Sequence, residues 1–171
     1  MPSFVHLRLH SEYSVSDGIV RIGDAIKKAV ADGMPALALT DLSNLFALVK
    51  FYSSARGKGL KPIAGADCWM ANPNDPDRPH RLLLLVRNRE GYRQLCELLT
   101  RAYLADRIDK AIIQKAWLQE IGCDGLLALS GAGMGDVGEA LLAGNENEAK
   151  ARAAAWAALF PNAFYLEIQR F

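Results

Sequence analysis

Apolar residues along the chain fall into two alternating patterns. In some segments they recur every three or four positions, as at Ile22, Ile26 and Ala29, which is the spacing of an amphipathic helix. Elsewhere they form short runs such as 82–86, which is typical of a strand covered on both faces. Helices are therefore predicted near 22–30, 45–52, 90–104, 114–121, 137–143 and 146–159. Strands are predicted at 4–10, 36–40, 61–68, 81–87, 125–130 and 163–170.

The order of these elements predicts the fold class. Strands and helices alternate along almost the whole chain, which favours an α/β fold with mostly parallel strands and right-handed crossovers. A loop rich in proline and aspartate, 72–79, separates two of the strands. Because no helix follows the strand at 163–170, we expect the sheet to be incomplete within these residues.

The opening stretch, 4–18, combines strand periodicity with chemically active side chains. Four residues would share one face of the strand: Phe4, His6, Arg8 and His10. The residues that follow are polar and turn-forming, and they include Asp17. The pattern predicts a strand whose polar face leads into a loop of possible ligands.

Four polar side chains at or beyond predicted strand ends are candidate metal ligands: His10, Asp17, Asp41 and Asp67. The carboxyl ends of strands form the ligand-binding edge of α/β folds, and divalent metals take carboxylate and imidazole ligands. One interpretation is therefore a weak metal site. The other is structural, because aspartate after a strand is also a common helix cap or turn residue, and Asp41 precedes a predicted helix.

Composition narrows the class of protein. The chain has 171 residues, 51% of them hydrophobic and 23% charged, which is typical of a globular domain. Its formal net charge is +1, so the net charge does not mark it as a nucleic-acid-binding surface. Three widely spaced cysteines, Cys68, Cys96 and Cys123, favour reduced, buried thiols. With no apolar run of about 18 residues and no leader-like N-terminus, we expect a cytoplasmic protein without membrane contact.

Other possible motifs favour structural roles. The glycine-rich segment 131–135 lacks the spacing of a dinucleotide fingerprint and is better explained as a tight turn. His80, at the end of the proline-rich loop, is expected to be an exposed loop histidine. The tryptophans Trp69, Trp117 and Trp156 do not form a basic, aromatic strip and are expected to pack.

Six segments, in order, carry a resemblance to a known family: HLRLHSEYSVSDG, ALALTDLSNLFALVKFY, GLKPIAGADC, LLLLVRNREGYRQL, GLLALSGAGMGD and FYLEIQR. Together they resemble the N-terminal PHP (polymerase and histidinol phosphatase) domain of bacterial replicative polymerase alpha subunits, the C-family polymerases. The resemblance implies the N-terminal part of a distorted seven-stranded α/β barrel, TIM-like and mostly parallel. Residues 1–171 would form one truncated domain, with the palm, thumb and fingers of the polymerase lying outside it.

The same resemblance implies a site from which the metal has been lost. Members that bind metals carry histidines, acidic residues and a cysteine at the matching positions, which in this chain are Arg8, His10, Asp17, Asp41, Leu42, Asp67, Arg81 and Ala132. Arginine, leucine and alanine cannot replace imidazole or thiolate as ligands. His80 is one residue out of register, and on a strand that turns its side chain to the opposite face. We expect no catalytic residue here and no bound metal.

The implied role is a catalytically silent structural module of a DNA-directed DNA polymerase in replication. Its implied partners are the proofreading exonuclease subunit and other holoenzyme subunits, with DNA contacted through downstream domains and Mg²⁺ needed only by the full polymerase. The alternative is an active metal-dependent phosphoesterase or 3′–5′ exonuclease, which would need Zn²⁺ or Mn²⁺. A free-standing phosphatase of the superfamily is disfavoured by the polymerase-like segments.

Arg8 suggests a physical account of the loss. Aspartates at 17, 41 and 67 would repel one another in a pocket without cations. A guanidinium on the same face as His10 supplies a fixed positive charge with five N–H donors. The hypothesis is that Arg8 replaces the metal structurally, which requires its side chain to face these carboxylates.

Overall fold

Helices and strands alternate in the computed structural model, which describes residues 4–105 and 110–169. Within these residues the helices are α1 (Ile22–Ala31), α2 (Leu48–Gly57), α3 (Arg89–Leu104), α4 (Lys115–Ile121), α5 (Asp136–Leu142) and α6 (Glu146–Leu159). The strands are β1 (Ala36–Leu39), β2 (Lys61–Met70), β3 (His80–Val86), β4 (Ile112–Ile113), β5 (Leu126–Leu129) and β6 (Phe164–Tyr165). The chain divides into two compact units, Met1–Asp67 and Cys68–Phe171. The single domain over 1–171 stays a prediction.

In the first unit, α1 packs its predicted apolar face into a core with β1 and α2. Ile22, Ile26 and Ala29 are buried, at the spacing of one helix face. The helix ends before Gly33, whose φ of +67° is a backbone conformation that glycine adopts without strain. β1 lies parallel to the first residues of β2, with Ala36 opposite Lys61.

The buried face of α2 differs from the prediction. The spacing of Leu45, Leu48, Val49 and Tyr52 predicted their burial, but Val49 is 79% exposed. The helix begins only at Leu48 and buries Leu48 together with Phe51 and Ala55, which are three and four positions apart. Two overlapping apolar stripes exist in this segment, and packing against α1 and β1 selects the one that contains Phe51.

The opening segment 4–10 is not a regular β-strand, contrary to the prediction. It runs beside β1 through two backbone hydrogen bonds, from Ala38 N–H to the His6 carbonyl and from Thr40 N–H to the Leu9 carbonyl. The two donors are two residues apart but their acceptors are three apart, so the segment contains one extra residue. A bulge of this kind breaks the alternation of faces that a regular strand would have.

The second unit is organised around the leucine run in β3. Leu82 to Leu85 are buried, as expected of a strand covered on both faces. β3 pairs antiparallel with β5, with Leu84 opposite Ala128, and β5 pairs in parallel with β6. Helix α3 is capped by Asn88, whose side chain accepts the Gly91 N–H, and buries Leu95 and Leu98. Gly91 is required because a Cβ there would collide with the Gly125 carbonyl.

The strand pairing corrects the barrel expectation. Across the described residues the strands pair in an open, mixed arrangement and no closed barrel forms. The short strand β4, which the sequence did not reveal, pairs in parallel with the end of β2. β6 has two residues, whereas the prediction was 163–170, of which Arg170 lies outside the described residues. A strand of two residues is too short to show the alternation of apolar and polar side chains by which strands are predicted, so only the pairing with neighbouring strands defines it.

The states of the cysteines and the lengths of the helices were also predicted from the sequence. None of Cys68, Cys96 and Cys123 is in a disulfide, and Cys68 and Cys123 are buried as expected, whereas Cys96 is only half-buried. Within 4–105 and 110–169, no helix is long and apolar enough to cross a bilayer.

Candidate functional site

The carboxylate of Asp67 lies at the centre of the candidate site in the first unit. Its side chain is 1% exposed. The guanidinium of Arg8 forms an ion pair with Asp67 Oδ2, and His10 Nε2 lies 3.0 Å from the same oxygen. Arg8 therefore faces the acidic cluster, as the hypothesis of a structural replacement for the metal requires.

His10 links Asp67 to Asp17. Its Nδ1 lies 3.0 Å from Asp17 Oδ1 while its Nε2 contacts Asp67. Burial disfavours the imidazolium, but the hydrogen bonds and negative charges of the two carboxylates outweigh burial and raise the pKa of His10 above its usual value. Only the protonated ring can donate to both carboxylates at once, so the geometry favours imidazolium.

Asp41 has a different role, because it holds the loop that follows His10. Its Oδ1 accepts the Ser11 N–H at 2.6 Å and the Ser14 hydroxyl at 2.9 Å, and its Oδ2 accepts the Ser11 hydroxyl at 2.9 Å. The suggested role as a helix cap is wrong, since α2 begins only at Leu48. Both oxygens of this buried carboxylate are instead used to fold the loop.

The loop that Asp41 holds has a strained backbone at Val15. Val15 has φ 64° and ψ −56°, and the Ser16 N–H donates to the Ser14 carbonyl at 2.7 Å, which defines a γ-turn with positive φ. This conformation is unfavourable for a β-branched residue and persists only where the surroundings impose it. Gly18 is part of that constraint, because a Cβ there would lie 1.8 Å from the Ser11 carbonyl oxygen.

Sequence reasoning missed the hydroxyl groups that organise the site. Ser11 and Ser14 are buried and bind Asp41, and Ser14 Oγ also accepts the Leu42 N–H at 3.0 Å. Thr40 Oγ1 accepts the Leu9 N–H at 2.9 Å. The available signal was the spacing of Ser11 and Ser14 after a predicted strand, since short hydroxyl side chains commonly bond to nearby backbone groups.

The remaining predicted positions lie in the second unit. The Arg81 guanidinium lies over the Trp69 ring, 3.9 Å from its centroid. Ala132 begins a short 3₁₀ turn in the glycine-rich segment, where Gly131 has φ +75°. The expectation that His80 is an exposed loop residue is wrong, because it begins β3, its side chain is 12% exposed, and its Nε2 lies 2.8 Å from Glu139 Oε2.

The side chains of the first unit do not fit a polynuclear metal centre. His10 has both nitrogens on carboxylates, Asp41 has both oxygens on hydrogen-bond donors, and Asp67 Oδ2 is held by Arg8. Leu42 contributes only its backbone, through an isolated bridge to Asp67. In the part of the chain that the structure describes, no group of three or more His, Cys, Asp or Glu side chains is arranged to hold a metal ion.

A match to a family model shows which family the chain belongs to. The model of the PHP domain matches residues 6–171, almost the whole chain. The chain belongs to the PHP domain family. This confirms the family inferred from the six sequence segments. The chain is also similar to one part of several much longer proteins.

Three of those relatives are DNA polymerase III alpha subunits. Identity is 51% over 98% of the chain for Pseudomonas fluorescens, 50% over 99% for Neisseria meningitidis and 44% over 99% for Escherichia coli K12. The chain spans only 14 to 15% of the length of these relatives. The likeness therefore concerns one region of a replicative polymerase subunit.

Solved structures overlap with the chain only in part. A candidate metal-dependent phosphoesterase from Bifidobacterium adolescentis matches with a TM-score of 0.46 at 16% identity, covering 61% of this chain and 35% of that one. An amidohydrolase from Chromobacterium violaceum matches with a TM-score of 0.44 at 22% identity, covering 58% and 32%. Overlap at this level carries no argument about activity.

Proposed function

We propose that this PHP chain acts within a DNA polymerase III alpha subunit as a catalytically silent structural module. The polymerase would be a template-directed nucleotidyltransferase of DNA replication, with its Mg²⁺-dependent centre and its DNA contacts outside these residues. The proposal draws support from the identity to alpha subunits over nearly the whole chain.

The observation that carries the proposal is the ion pair between Arg8 and Asp67. A guanidinium on that carboxylate supplies a permanent positive charge where a metal would otherwise be needed, and it repels a divalent cation. Together with His10, it balances the negative charges of Asp17 and Asp67. A balanced cluster of this kind stabilises a fold and leaves no open ligand position for an activated water.

Metal content tests the silent role. The purified wild-type protein is equilibrated with Zn²⁺ or Mn²⁺, desalted and analysed for metal, beside the double variant Arg8→His/Leu42→His. We expect much less than one metal per chain in the wild type and more in the double variant. Leu7→His is the matched control, because it adds an imidazole to the same segment at a position whose side chain is partly exposed.

Two results would contradict this proposal. Near-stoichiometric metal in the wild type would favour the alternative, an active phosphoesterase or 3′–5′ exonuclease. An equal gain of metal in Leu7→His and in the double variant would show that added histidines bind metal anywhere on this segment.

We further propose that the PHP module is a docking site for the proofreading exonuclease subunit. A domain with no chemistry of its own is retained when it contributes an interface, and this role is implied for polymerase PHP domains whose metal site is degenerate. Titration of the complete alpha subunit with its exonuclease, followed by sedimentation, should show a complex that is lost when the PHP region is deleted. A complex that persists without the PHP region would contradict the docking role.

A further inference from the structure

Helix α2 in the first unit has a second apolar face, which points to solvent. One face of the helix is buried in the core of the unit through Phe51 and Ala55. On the other side, Val49 is 79% exposed and Tyr52 is 46% exposed, and the two are neighbours at a spacing of three positions. Phe46, in the turn before the helix, is 67% exposed. A helix that is apolar on more than one face is typical of a helix covered on more than one side.

The charged side chains in this part of the chain are all positive. Residues 42–66 contain no aspartate or glutamate, and their cations are Lys50, Arg56, Lys58 and Lys61. All four cations are exposed. Among the residues that the structure describes, none of the four has a carboxylate within ion-pair distance, 4.0 Å. Their positive charge is therefore not balanced by a neighbouring carboxylate.

Two of these cations are held by tyrosines. Lys50 Nζ donates to the Tyr13 hydroxyl at 3.3 Å, and Arg56 Nη1 donates to the Tyr52 hydroxyl at 3.2 Å. A phenol hydroxyl is neutral, so it positions a cation without cancelling its charge. Helices α1, α3 and α6 differ, because they pair cations with carboxylates three or four positions away. On α2, apolar and positive groups lie side by side with no acidic group between them.

The exposed side chains of Phe46, Val49, Lys50, Tyr52 and Arg56 are named the α2 surface. We propose that the α2 surface docks an acidic amphipathic helix of a partner protein. Large exposed apolar groups mark interaction sites, so the partner helix has an apolar stripe of its own. Carboxylates border that stripe, because charge complementary to the α2 cations fixes the register and rejects wrong partners. A helix fits this surface because the side-chain ridges of one helix pack into the grooves of another.

An aliphatic side chain distinguishes this occupant from a nucleic acid. Single-stranded nucleic acids bind cations and aromatic rings, which the α2 surface also offers. Val49, however, is the most exposed of its three apolar side chains, and a valine offers no ring on which a base could stack. The same side chain packs well against leucines of a partner helix. The proposal goes beyond the exonuclease docking proposed above, because it names a surface and the chemistry of its partner, whichever protein supplies that helix.

Titration with model peptides tests the proposal. Three helical peptides of about 15 residues, long enough to cover α2, are compared. The first has leucines on one face bordered by glutamates, the second has lysines in place of the glutamates, and the third has alanines in place of the leucines. The full chain, labelled with ¹⁵N, is titrated with each peptide at constant ionic strength. We expect saturable shifts of the backbone amide signals of residues 46–56 with the glutamate–leucine peptide, and much weaker binding of the other two.

Substitutions on the α2 surface locate the binding. Val49→Asp and Arg56→Glu should each weaken binding of the glutamate–leucine peptide about tenfold, because each removes a favourable contact and adds a repelling charge. Val30→Asp and Lys27→Glu are the matched controls on exposed positions of α1, with the same changes of charge, and should leave the affinity unchanged. If an α2 variant melts at a lower temperature than the wild type, Val49→Gln or Arg56→Gln takes its place.

The same experiments contain the results that would overturn the proposal. They are the absence of a saturable shift, binding of either comparison peptide as tight as that of the glutamate–leucine peptide, and unchanged affinity in the folded α2 variants. Tighter binding of an oligodeoxythymidine, with shifts of the same signals, would assign the α2 surface to a nucleic acid instead. Self-association of the chain without peptide, measured by sedimentation and abolished by Val49→Asp, would assign it to a second copy of this chain.

Discussion

Two polar clusters in this protein hold their cations in different ways. In the first unit, Arg8 and His10 contact the carboxylates of Asp17 and Asp67 at hydrogen-bonding distance. In the second unit, Arg81 and Lys115 lie over the faces of Trp69 and Trp156. In the first arrangement the cations contact carboxylates, and in the second each cation also contacts the face of an aromatic ring.

The two clusters should therefore contribute differently to stability. Removing one member of a buried ion pair leaves an uncompensated charge, which strongly destabilises a fold. Removing the exposed ammonium of Lys115 from its aromatic face costs little, because its charge is already solvated. Substitutions in the first cluster should therefore lower stability strongly, whereas substitution of Lys115 should lower it little.

The largest expected effect is at Asp41. Asp41→Ala should lower the free energy of unfolding by about 3 kcal/mol, because a buried carboxylate that accepts three hydrogen bonds is lost and its donors are left unsatisfied. Urea denaturation followed by circular dichroism measures this change. Asp24→Ala, at an exposed position of α1, should change stability by less than about 0.5 kcal/mol. Equal effects of the two substitutions would show that the loop does not depend on Asp41.

A smaller loss is expected for Arg8→Met, about 2 kcal/mol, because the buried carboxylate of Asp67 loses the guanidinium that pairs with it. The reference is the double variant Arg8→Met/Asp67→Asn, in which the buried charge is also removed. Its loss should be smaller than the sum of the two single losses by about 1 kcal/mol or more. Additive losses in denaturation experiments would mean that the two side chains stabilise the fold independently.

The stability contribution of His10 should depend on pH. The folded-state pKa of His10 is raised above the ordinary value of 6.5, so its contribution is fully present below 6.5 and is lost as pH rises through the folded pKa. The stability difference between the wild type and His10→Gln should therefore shrink from slightly acidic to alkaline pH. Melting temperatures across this range provide the measurement. A difference that grows with pH would indicate that His10 is neutral when folded.

The smallest expected effect on stability is in the second cluster. Lys115→Met should change the free energy of unfolding by no more than about 0.5–1 kcal/mol, the typical contribution of a cation–π contact at an exposed site. The same denaturation experiment tests this limit. A loss as large as that of Arg8→Met would mean that both clusters are structural, and the contrast between them would disappear.

Long helices and strands were predictable from the sequence, because the regular spacing of their apolar residues shows which face is buried. The helix face of α1, the extent of α3 and the leucine run of β3 were predicted at nearly the observed bounds. Prediction failed where two local patterns compete. In α2 the apolar residues offered two faces, and only packing buried Phe51 and left Val49 exposed.

The candidate site was predictable in its residues and not in its contacts. Positions at predicted strand ends singled out His10, Asp17, Asp41 and Asp67, and the strand face shared with His10 singled out Arg8. Their roles required the fold, because one bulge in the opening segment and one strained turn decide which carboxylate each side chain meets. His80 shows the same limit, since it contacts Glu139, which is 59 residues away in sequence.

Six ordered segments of the sequence indicated the PHP family, and the sequence also determined the α/β character and the residues of the polar cluster, because these depend on residue types and short periods. The tertiary structure alone decided the open, mixed strand pairing, the burial of Ser11 and Ser14 against Asp41, and the different environments of Arg8 and Lys115. Contacts between residues far apart in sequence set these features. Whether a cation meets a carboxylate or an aromatic ring is fixed only when the chain brings them together.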